Sequence, residues 1–106
     1  MTIYIKNTLE NFQAFVGGSI ETVGLSNTSI LICNEEGKLM NLPGNRRIGD
    51  DIIAGRFLIV GDNGGEDFIS LSKEDITKFS SEFEQPEHFN QQEVEDAIDI
   101  RIVMGE

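Results

Sequence analysis

Residues 19–42 have the sequence SIETVGLSNTSILICNEEGKLMNL, and this stretch decides the fold. Residues 19–25 and 29–33 are rich in β-branched and apolar side chains and are separated by a short polar turn, which predicts two paired strands. After a second turn, residues 38–42 are predicted to return as an antiparallel strand. The middle of the chain is therefore expected to be a β-sheet.

Several further strands and loops are predicted around this stretch. In the turn 34–37, Gly37 is expected to take a positive φ and to form a bulge. Residues 2–6 alternate as a first strand would, and residues 56–60 are apolar enough for a central strand. Residues 45–51 follow a Pro-Gly pair and are predicted to be irregular.

Three short helices are predicted from their capping residues. Asn7 is expected to cap the first helix, which the glycine pair 17–18 ends, because glycine accepts the left-handed conformation found there. Ser72 is expected to cap the second helix. Asn90 begins the third, with Glu93 in the position that completes a capping box.

Together these elements predict an α+β fold, with a mixed, mostly antiparallel sheet of five or six strands and two or three short helices. With 106 residues the chain has the size of a single domain. Residues 81–106 are predicted to form an acidic C-terminal extension, a helix followed by a strand over residues 99–104. That strand could complete its own sheet or pair with the edge of a second subunit, so a homo-oligomer stays open.

The charge of the chain is strongly negative and unevenly distributed. Of the net charge of −11, residues 1–58 (six acids, five bases) carry −1 and residues 59–106 (thirteen acids, three bases) carry −10. Such a field disfavours direct nucleic-acid binding and steers the protein toward a basic surface of another protein. The carboxylates expected to form this acidic face are Glu66, Asp67, Glu74, Asp75, Glu82, Glu84, Glu87, Glu93, Glu95 and Asp96.

The residue types that carry most catalysis are scarce. Cys33 lies in an apolar run and is expected to be a buried thiol, and the single histidine, His88, is expected at the surface. Two candidate ligands are too few for a zinc site. The carboxylates of 62–67 could hold a hard cation, and Asp50 and Asp51 could pair with the acids of 34–37 for acid–base chemistry. Turn formation and solvation explain these clusters more simply, so we expect no catalytic residue, metal or cofactor.

A basic island interrupts the near-neutral first half of the chain. Arginine forks bind phosphates and carboxylates, so Arg46 and Arg47 could hold a small anionic ligand, or could pair with nearby carboxylates of the same domain such as Asp50, Asp51 or Glu36. The residues that would form such a ligand site are Gly17, Gly18, Asn34, Glu35, Glu36, Lys38, Asn45, Arg46 and Arg47.

The location of the protein can be predicted from what the chain lacks. The most apolar stretch, residues 57–60, is far shorter than the roughly 20 residues that cross a bilayer, and residues 1–6 lack the basic and long apolar regions of a signal peptide. A single cysteine excludes an internal disulfide. We therefore expect a cytoplasmic protein with no membrane partner.

Three motifs in order resemble a small family catalogued only as a domain of unknown function, whose members are common in phages, plasmids and conjugative elements of Gram-positive bacteria. They are Val16-Gly17-Gly18-Ser19-Ile20-Glu21, Asn34-Glu35-Glu36-Gly37-Lys38-Leu39 and Leu42-Pro43-Gly44-Asn45-Arg46-Arg47. The resemblance covers residues 1–80 and implies a genomic setting rather than a reaction.

Two functions follow as expectations from this setting and from the charge. The first is a phage or mobile-element accessory protein that binds and inhibits a host protein in the host cytoplasm, such as a nucleic-acid-binding defence nuclease, through its acidic face. The second is a protein that binds or sequesters an anionic metabolite or nucleotide through the region of Arg46 and Arg47. A metal-assisted hydrolase built on clustered carboxylates is a third reading.

Overall fold

The computed structural model describes residues 3–83 and 87–97 of the chain. In this part the α+β fold class is confirmed, because five strands in antiparallel pairs are combined with three helices. The elements in chain order are α1 (Leu9–Val16), β1 (Ile20–Ser26), β2 (Ser29–Asn34), β3 (Gly44–Ile48), β4 (Asp51–Ala54), β5 (Leu58–Gly61), α2 (Lys73–Glu82) and α3 (Gln91–Asp96).

The strands form two sheets instead of the single sheet that was predicted. The larger sheet has the order β1-β2-β5, and the smaller sheet is the hairpin β3-β4. Strand β2 is central, and its Leu31 lies opposite Val23 of β1 and Ile59 of β5. The expected central strand at residues 56–60 is therefore the edge strand β5. Both faces of β2 are covered, which explains its nearly continuous apolar sequence.

The core consists of three clusters that follow the layers of the fold. Helix α1 covers one face of the larger sheet, with Phe12 and Val16 packed on Ile32 and Leu58. The opposite face meets the hairpin, where Leu31, Cys33 and Ile53 form the second cluster. Helix α3 covers the outer face of the hairpin, with Val94 packed on Ile52 and Ala54.

The connection between β2 and β3 differs most from the predictions. Gly37 does not have a positive φ; the positive value falls on Asn41, at 58°. Residues 38–42 are turns rather than a strand, because the Met40 N–H donates to the Glu36 carbonyl and the Leu42 N–H to the Gly37 carbonyl. The segment 45–51, predicted to be irregular, instead contributes most of β3 and the turn into β4.

Strand β3 was missed because its sequence, GNRRI, is polar. Its arginines pack over aromatic rings: the Arg46 guanidinium lies 5.0 Å from the Phe83 ring centroid and that of Arg47 lies 5.7 Å from the Phe89 centroid. The long apolar stems of arginine can cover apolar surface while the charged head remains accessible. A polar strand can therefore form half-buried surface.

The N-terminal segment also differs from its prediction. Residues 3–6 form no strand, and the cap of α1 is Thr8, whose side chain accepts from the Asn11 N–H at 3.2 Å. The expected cap, Asn7, instead donates from Nδ2 to the Phe68 carbonyl at 2.7 Å. The end of α1 is confirmed, since Gly17 has a φ of 83° and its N–H donates to the Gln13 carbonyl.

The caps of the other two helices are confirmed. Ser72 caps α2 by accepting from the Asp75 N–H, and Asn90 and Glu93 form the complete capping box of α3. The strand predicted for residues 99–104 lies outside the described residues, as does Glu84. None of the helices found in residues 3–83 and 87–97 is long and apolar enough to cross a membrane.

Candidate functional site

An apolar cleft of about 460 Å3 lies between α1, β5, α2 and two irregular segments, residues 3–5 and 68–71. Six of the seven phenylalanines of the chain line it. These are Phe12, Phe15, Phe57, Phe68, Phe79 and Phe83. The volume falls within the roughly 300–1,000 Å3 that is common for ligand sites. The cleft is therefore the leading candidate for a binding site.

Helical spacing and ring contacts position these side chains. Phe79 and Phe83 are four residues apart, on one side of α2 and at its C-cap, with stacked rings whose centroids are 5.8 Å apart. Phe83 also meets Phe57 edge-on at 5.7 Å, so α2 is held beside the start of β5. Across the cleft, Phe12 of α1 meets Phe68 edge-on at 5.7 Å. Each such pair contributes about 0.5–1.5 kcal/mol beyond its burial, so the aromatic walls are held together by their own contacts.

Cations lie over several of the rings that line the cleft. The exposed Arg56 guanidinium is 3.8 Å from the Phe15 ring centroid, and Lys78 Nζ is 5.1 Å from that of Phe79. The ion pairs formed among residues 3–83 and 87–97 are Lys38–Asp51 and Arg46–Glu87, and Arg56 is in neither. Positive charge thus lies against Phe15 and Phe79, two of the phenylalanines that line the cleft, although the protein as a whole is acidic.

Some carboxylates of the predicted acidic face are exposed, and others form hydrogen bonds or ion pairs within the domain. Asp75 Oδ2 accepts from Thr28 Oγ1 at 2.8 Å, and Glu87 pairs with Arg46 at 3.2 Å. Glu93 belongs to its capping box, Asp96 accepts from Gln92, and Glu95 is half-buried. The exposed carboxylates without an ion pair in the described part of the chain include Glu66, Asp67, Glu74 and Glu82.

The structure divides the predicted anion-binding residues into separate groups. The glycine pair 17–18 and the turn after β2 do meet: buried Asn34 donates from Nδ2 to the Val16 carbonyl and accepts at Oδ1 from the Glu36 N–H at 2.8 Å. Glu35 and Glu36 are exposed beside this contact, while Gly18 is half-buried. The buried amide is thus occupied in joining two loops.

The other residues of the predicted anion-binding set lie in the hairpin β3-β4 or contact it. They are Lys38, Asn45, Arg46 and Arg47. Lys38 pairs with Asp51 and donates to the Ala97 carbonyl at 3.0 Å, so one basic residue does pair with a predicted carboxylate. Asn45 donates from Nδ2 to the Gly55 carbonyl at 3.1 Å. Arg46 pairs with Glu87 rather than with Asp50, Asp51 or Glu36, and exposed Arg47 lies over Phe89.

The residues considered for catalysis or metal binding are buried, exposed or part of a turn, as follows. Burial, followed by the charges of Glu21 and Asp51, raises the pKa of the Cys33 thiol from 9.0 to about 11, which disfavours the nucleophilic thiolate. His88 is exposed, as predicted. In the turn after β5, Asp62 Oδ1 accepts from the Gly64 N–H at 2.9 Å. In residues 3–83 and 87–97, no three His, Cys, Asp or Glu side chains are grouped so that they could hold a metal ion.

These features define the class: a small α+β domain with an acidic surface and an aromatic cleft. The chain belongs to the family described as Domain of unknown function (DUF3846), whose family model matches residues 2–84. The resemblance to an uncharacterised family over residues 1–80 is thereby confirmed. No match was found among curated proteins or among solved structures.

Sequence reasoning missed the cleft because its walls come from segments far apart in the chain, from Phe12 to Phe83. Two signals pointed toward it. The composition is rich in phenylalanine and has no tryptophan, and Phe12 and Phe15 stand three residues apart on one helix. Neither signal distinguishes a closed core from an open cleft, since that depends on how α2 packs.

Proposed function

We propose that this protein works by binding another protein, whose basic surface faces its acidic carboxylates. The observation that carries the proposal is the charge of −10 on residues 59–106, together with the exposure of Glu66, Asp67, Glu74 and Glu82. Exposed charges of one sign raise the rate of encounter with an oppositely charged partner. Of the candidate acidic residues, these four are the best placed to meet a partner directly.

The partner class follows from the charge and from the family resemblance. Proteins that bind nucleic acids carry basic surfaces for phosphates, and an acidic protein can occupy such a surface. We propose that the chain is an accessory protein of a phage or mobile element and inhibits a host defence protein of this kind, such as a nuclease.

Charge reversal tests the proposal. A variant with Glu66, Asp67, Glu74 and Glu82 all changed to lysine should no longer capture its partner from host extract, and wild-type binding should weaken as salt rises. The matched control reverses four exposed acids of the first half: Glu21, Glu35, Glu36 and Asp50. The proposal fails if the two variants bind equally, because then net charge rather than the second half decides.

The second candidate function is binding of a small anionic ligand, and the aromatic cleft favours it. An apolar body could fill the cleft while Arg56, which lies over the cleft residue Phe15, meets the anion. This moves the expected anion site away from the surroundings of Arg46 and Arg47.

A thermal-shift screen with nucleotides and aromatic or aliphatic carboxylates tests this candidate. A ligand present at 100 times its dissociation constant adds about 2.7 kcal/mol of stability. Arg56→Gln should remove that gain, whereas Arg47→Gln should keep it, because exposed Arg47 lies over Phe89, which does not line the cleft. If the ligand stabilises both variants equally, its anionic group does not bind at Arg56.

A further inference from the structure

Within residues 3–83 and 87–97, the outer edge of β5 is only partly paired. Gly61 exchanges both of its backbone hydrogen bonds with Ile69, at 2.7 and 3.0 Å, on the side away from β2. The next residue, Asp62, donates its N–H to the Thr28 carbonyl, toward β2. Because backbone groups alternate in direction along an antiparallel strand, the odd-numbered residues of β5 face outward and the even-numbered residues face β2.

Ile59 is therefore the outward-facing residue inside β5. It lies opposite Leu31 in the ladder with β2, so its own N–H and C=O point to the open side. Within residues 3–83 and 87–97, no hydrogen bond to these two groups is found. Ile59 also lines the cleft, together with its neighbours Leu58 and Val60. The donor and the acceptor that this sheet edge leaves open thus belong to a residue that lines the apolar cleft.

We propose that this edge receives an extended segment of the partner protein as an added β-strand, paired with Ile59. The inference rests on the proposed function, since it takes the occupant to be part of a protein. An added strand supplies one N–H and one C=O in the spacing that Ile59 requires, and it satisfies polar groups that are costly to leave unpaired in apolar surroundings. Main-chain pairing of this kind also suits a cleft beside a sheet edge.

The side chains around the edge specify the chemistry of the segment. Successive side chains of a strand point to opposite faces, so every second residue of the added strand would face the phenylalanines of the cleft. Those positions require apolar side chains. Ile3, Tyr4 and Ile69 line the same cleft and are exposed, which extends apolar surface beyond the edge itself. An extended chain segment uses such a surface, whereas a small anion has no need of it.

The first test measures amide hydrogen exchange in the full, free chain. The Ile59 amide should exchange much faster than those of Leu58 and Val60, whose N–H groups face β2. Protection at Ile59 equal to that of its neighbours would mean that the edge is already paired within the chain or with a second copy. That result would overturn the proposal.

The second test uses peptides as probes and leaves the protein unchanged. Seven-residue peptides selected from a random displayed library against the full chain should carry apolar residues at alternate positions. N-methylation of the amide that faces Ile59 should weaken binding about tenfold, and N-methylation of the next amide, which faces away, should have little effect. Equal effects at both positions, no enriched peptide, or binding of small carboxylates alone would each overturn strand addition.

A pair of variants tests the same edge from the side of the protein. Ile59→Pro removes the outward N–H without removing a bond to β2, and proline is tolerated at sheet edges. It should weaken binding of the selected peptide about tenfold, whereas Ile59→Val, which keeps the N–H and loses only one methylene of the side chain, should weaken it clearly less. If Ile59→Pro does not fold, the N-methylated peptides still decide the question.

The outcome can be separated from that of the proposed function. Loss of partner capture on charge reversal, with unchanged capture by Ile59→Pro, would reject strand addition and keep the acidic-surface proposal. Suppose instead that Ile59→Pro loses peptide binding while charge reversal does not affect partner capture. That result would reject the acidic-surface proposal and keep the proposal of strand addition at β5.

Discussion

Gly37 lies against the backbone of Ala54, so closely that a Cβ atom at position 37 would be 2.5 Å from the Ala54 carbonyl oxygen. This contact joins the turn after β2 to the end of β4. It explains why a glycine occurs here although its φ is not positive. Glycine is required here because the two backbones lie too close together to leave room for a side chain.

Gly37→Ala should therefore destabilise the protein by about 1–3 kcal/mol, because one of the two backbones must move. Urea unfolding monitored by circular dichroism measures this. Gly24→Ala is the matched control: position 24 has no positive φ, and no atom of the described residues lies within 4 Å of a Cβ there, so the alanine should be neutral or slightly stabilising. If Gly37→Ala and Gly24→Ala lose equal amounts of stability, the close contact between Gly37 and the Ala54 backbone is contradicted.

The two adjacent arginines of β3 should differ in their contribution to stability. The side chain of Arg46 is 11% exposed, pairs with Glu87 and lies over Phe83, whereas Arg47 is exposed. We expect Arg46→Ala to cost about 1–3 kcal/mol and Arg47→Ala under about 0.5 kcal/mol in urea unfolding. A larger loss for Arg47 would show that the aromatic contact with Phe89 matters more than burial.

Val94 should contribute strongly for a residue of so short a helix. It is almost completely buried, and it packs against Ile52 and Ala54. Val94→Ala should cost about 1–3 kcal/mol through lost burial and the cavity left behind. The exposed Gln92→Ala on the same helix should change stability by less than about 0.5 kcal/mol. Similar values for both would mean that α3 does not close the hairpin core.

Cys33 should make stability depend on pH in the alkaline range. Its pKa is raised from 9.0 to about 11 in the folded state, so between these values the unfolded chain loses a proton that the folded chain keeps. The unfolded state binds fewer protons there, and the free energy of unfolding contributed by this group falls as pH rises from 9.0 to about 11.

The measurement is the difference in unfolding free energy between wild type and Cys33→Ala across that range. The difference should shrink steadily with rising pH and remain constant below pH 9.0. Subtracting the variant removes the titration of other alkaline groups. A difference that does not change with pH would contradict the effect of burial on the thiol.

The parts of the fold that could be predicted were set by neighbouring residues. The caps at Ser72 and Asn90 follow from side chains that bond to backbone three residues away. The same reasoning selected Asn7 over Thr8, since both are good cap residues, and the long-range bond of Asn7 to Phe68 decided between them. Local preference alone cannot resolve such a choice.

The parts that could not be predicted depend on contacts between distant segments. The strand at Gly44–Ile48 requires aromatic rings from residues 83 and 89 to cover its arginines. The cleft requires α2 to pack beside β5 through Phe57 and Phe83. The outward direction of the Ile59 backbone groups becomes visible only once the register with β2 is known. Each of these is a matter of tertiary packing.

Helix α3 begins at Gln91, seven residues after the family match ends at residue 84, yet it supplies the covering of the outer face of the hairpin. Of the described residues that pack with Ile52 and Ala54 in this cluster, Leu42 lies inside the matched region, whereas Phe89, Val94 and Ala97 lie beyond it. A relative with no counterpart of α3 would need another cover for this face, either a helix from elsewhere in its chain or a second molecule. Members of the family can therefore differ in what covers the outer face of the hairpin, even where the region matched by the family model is alike.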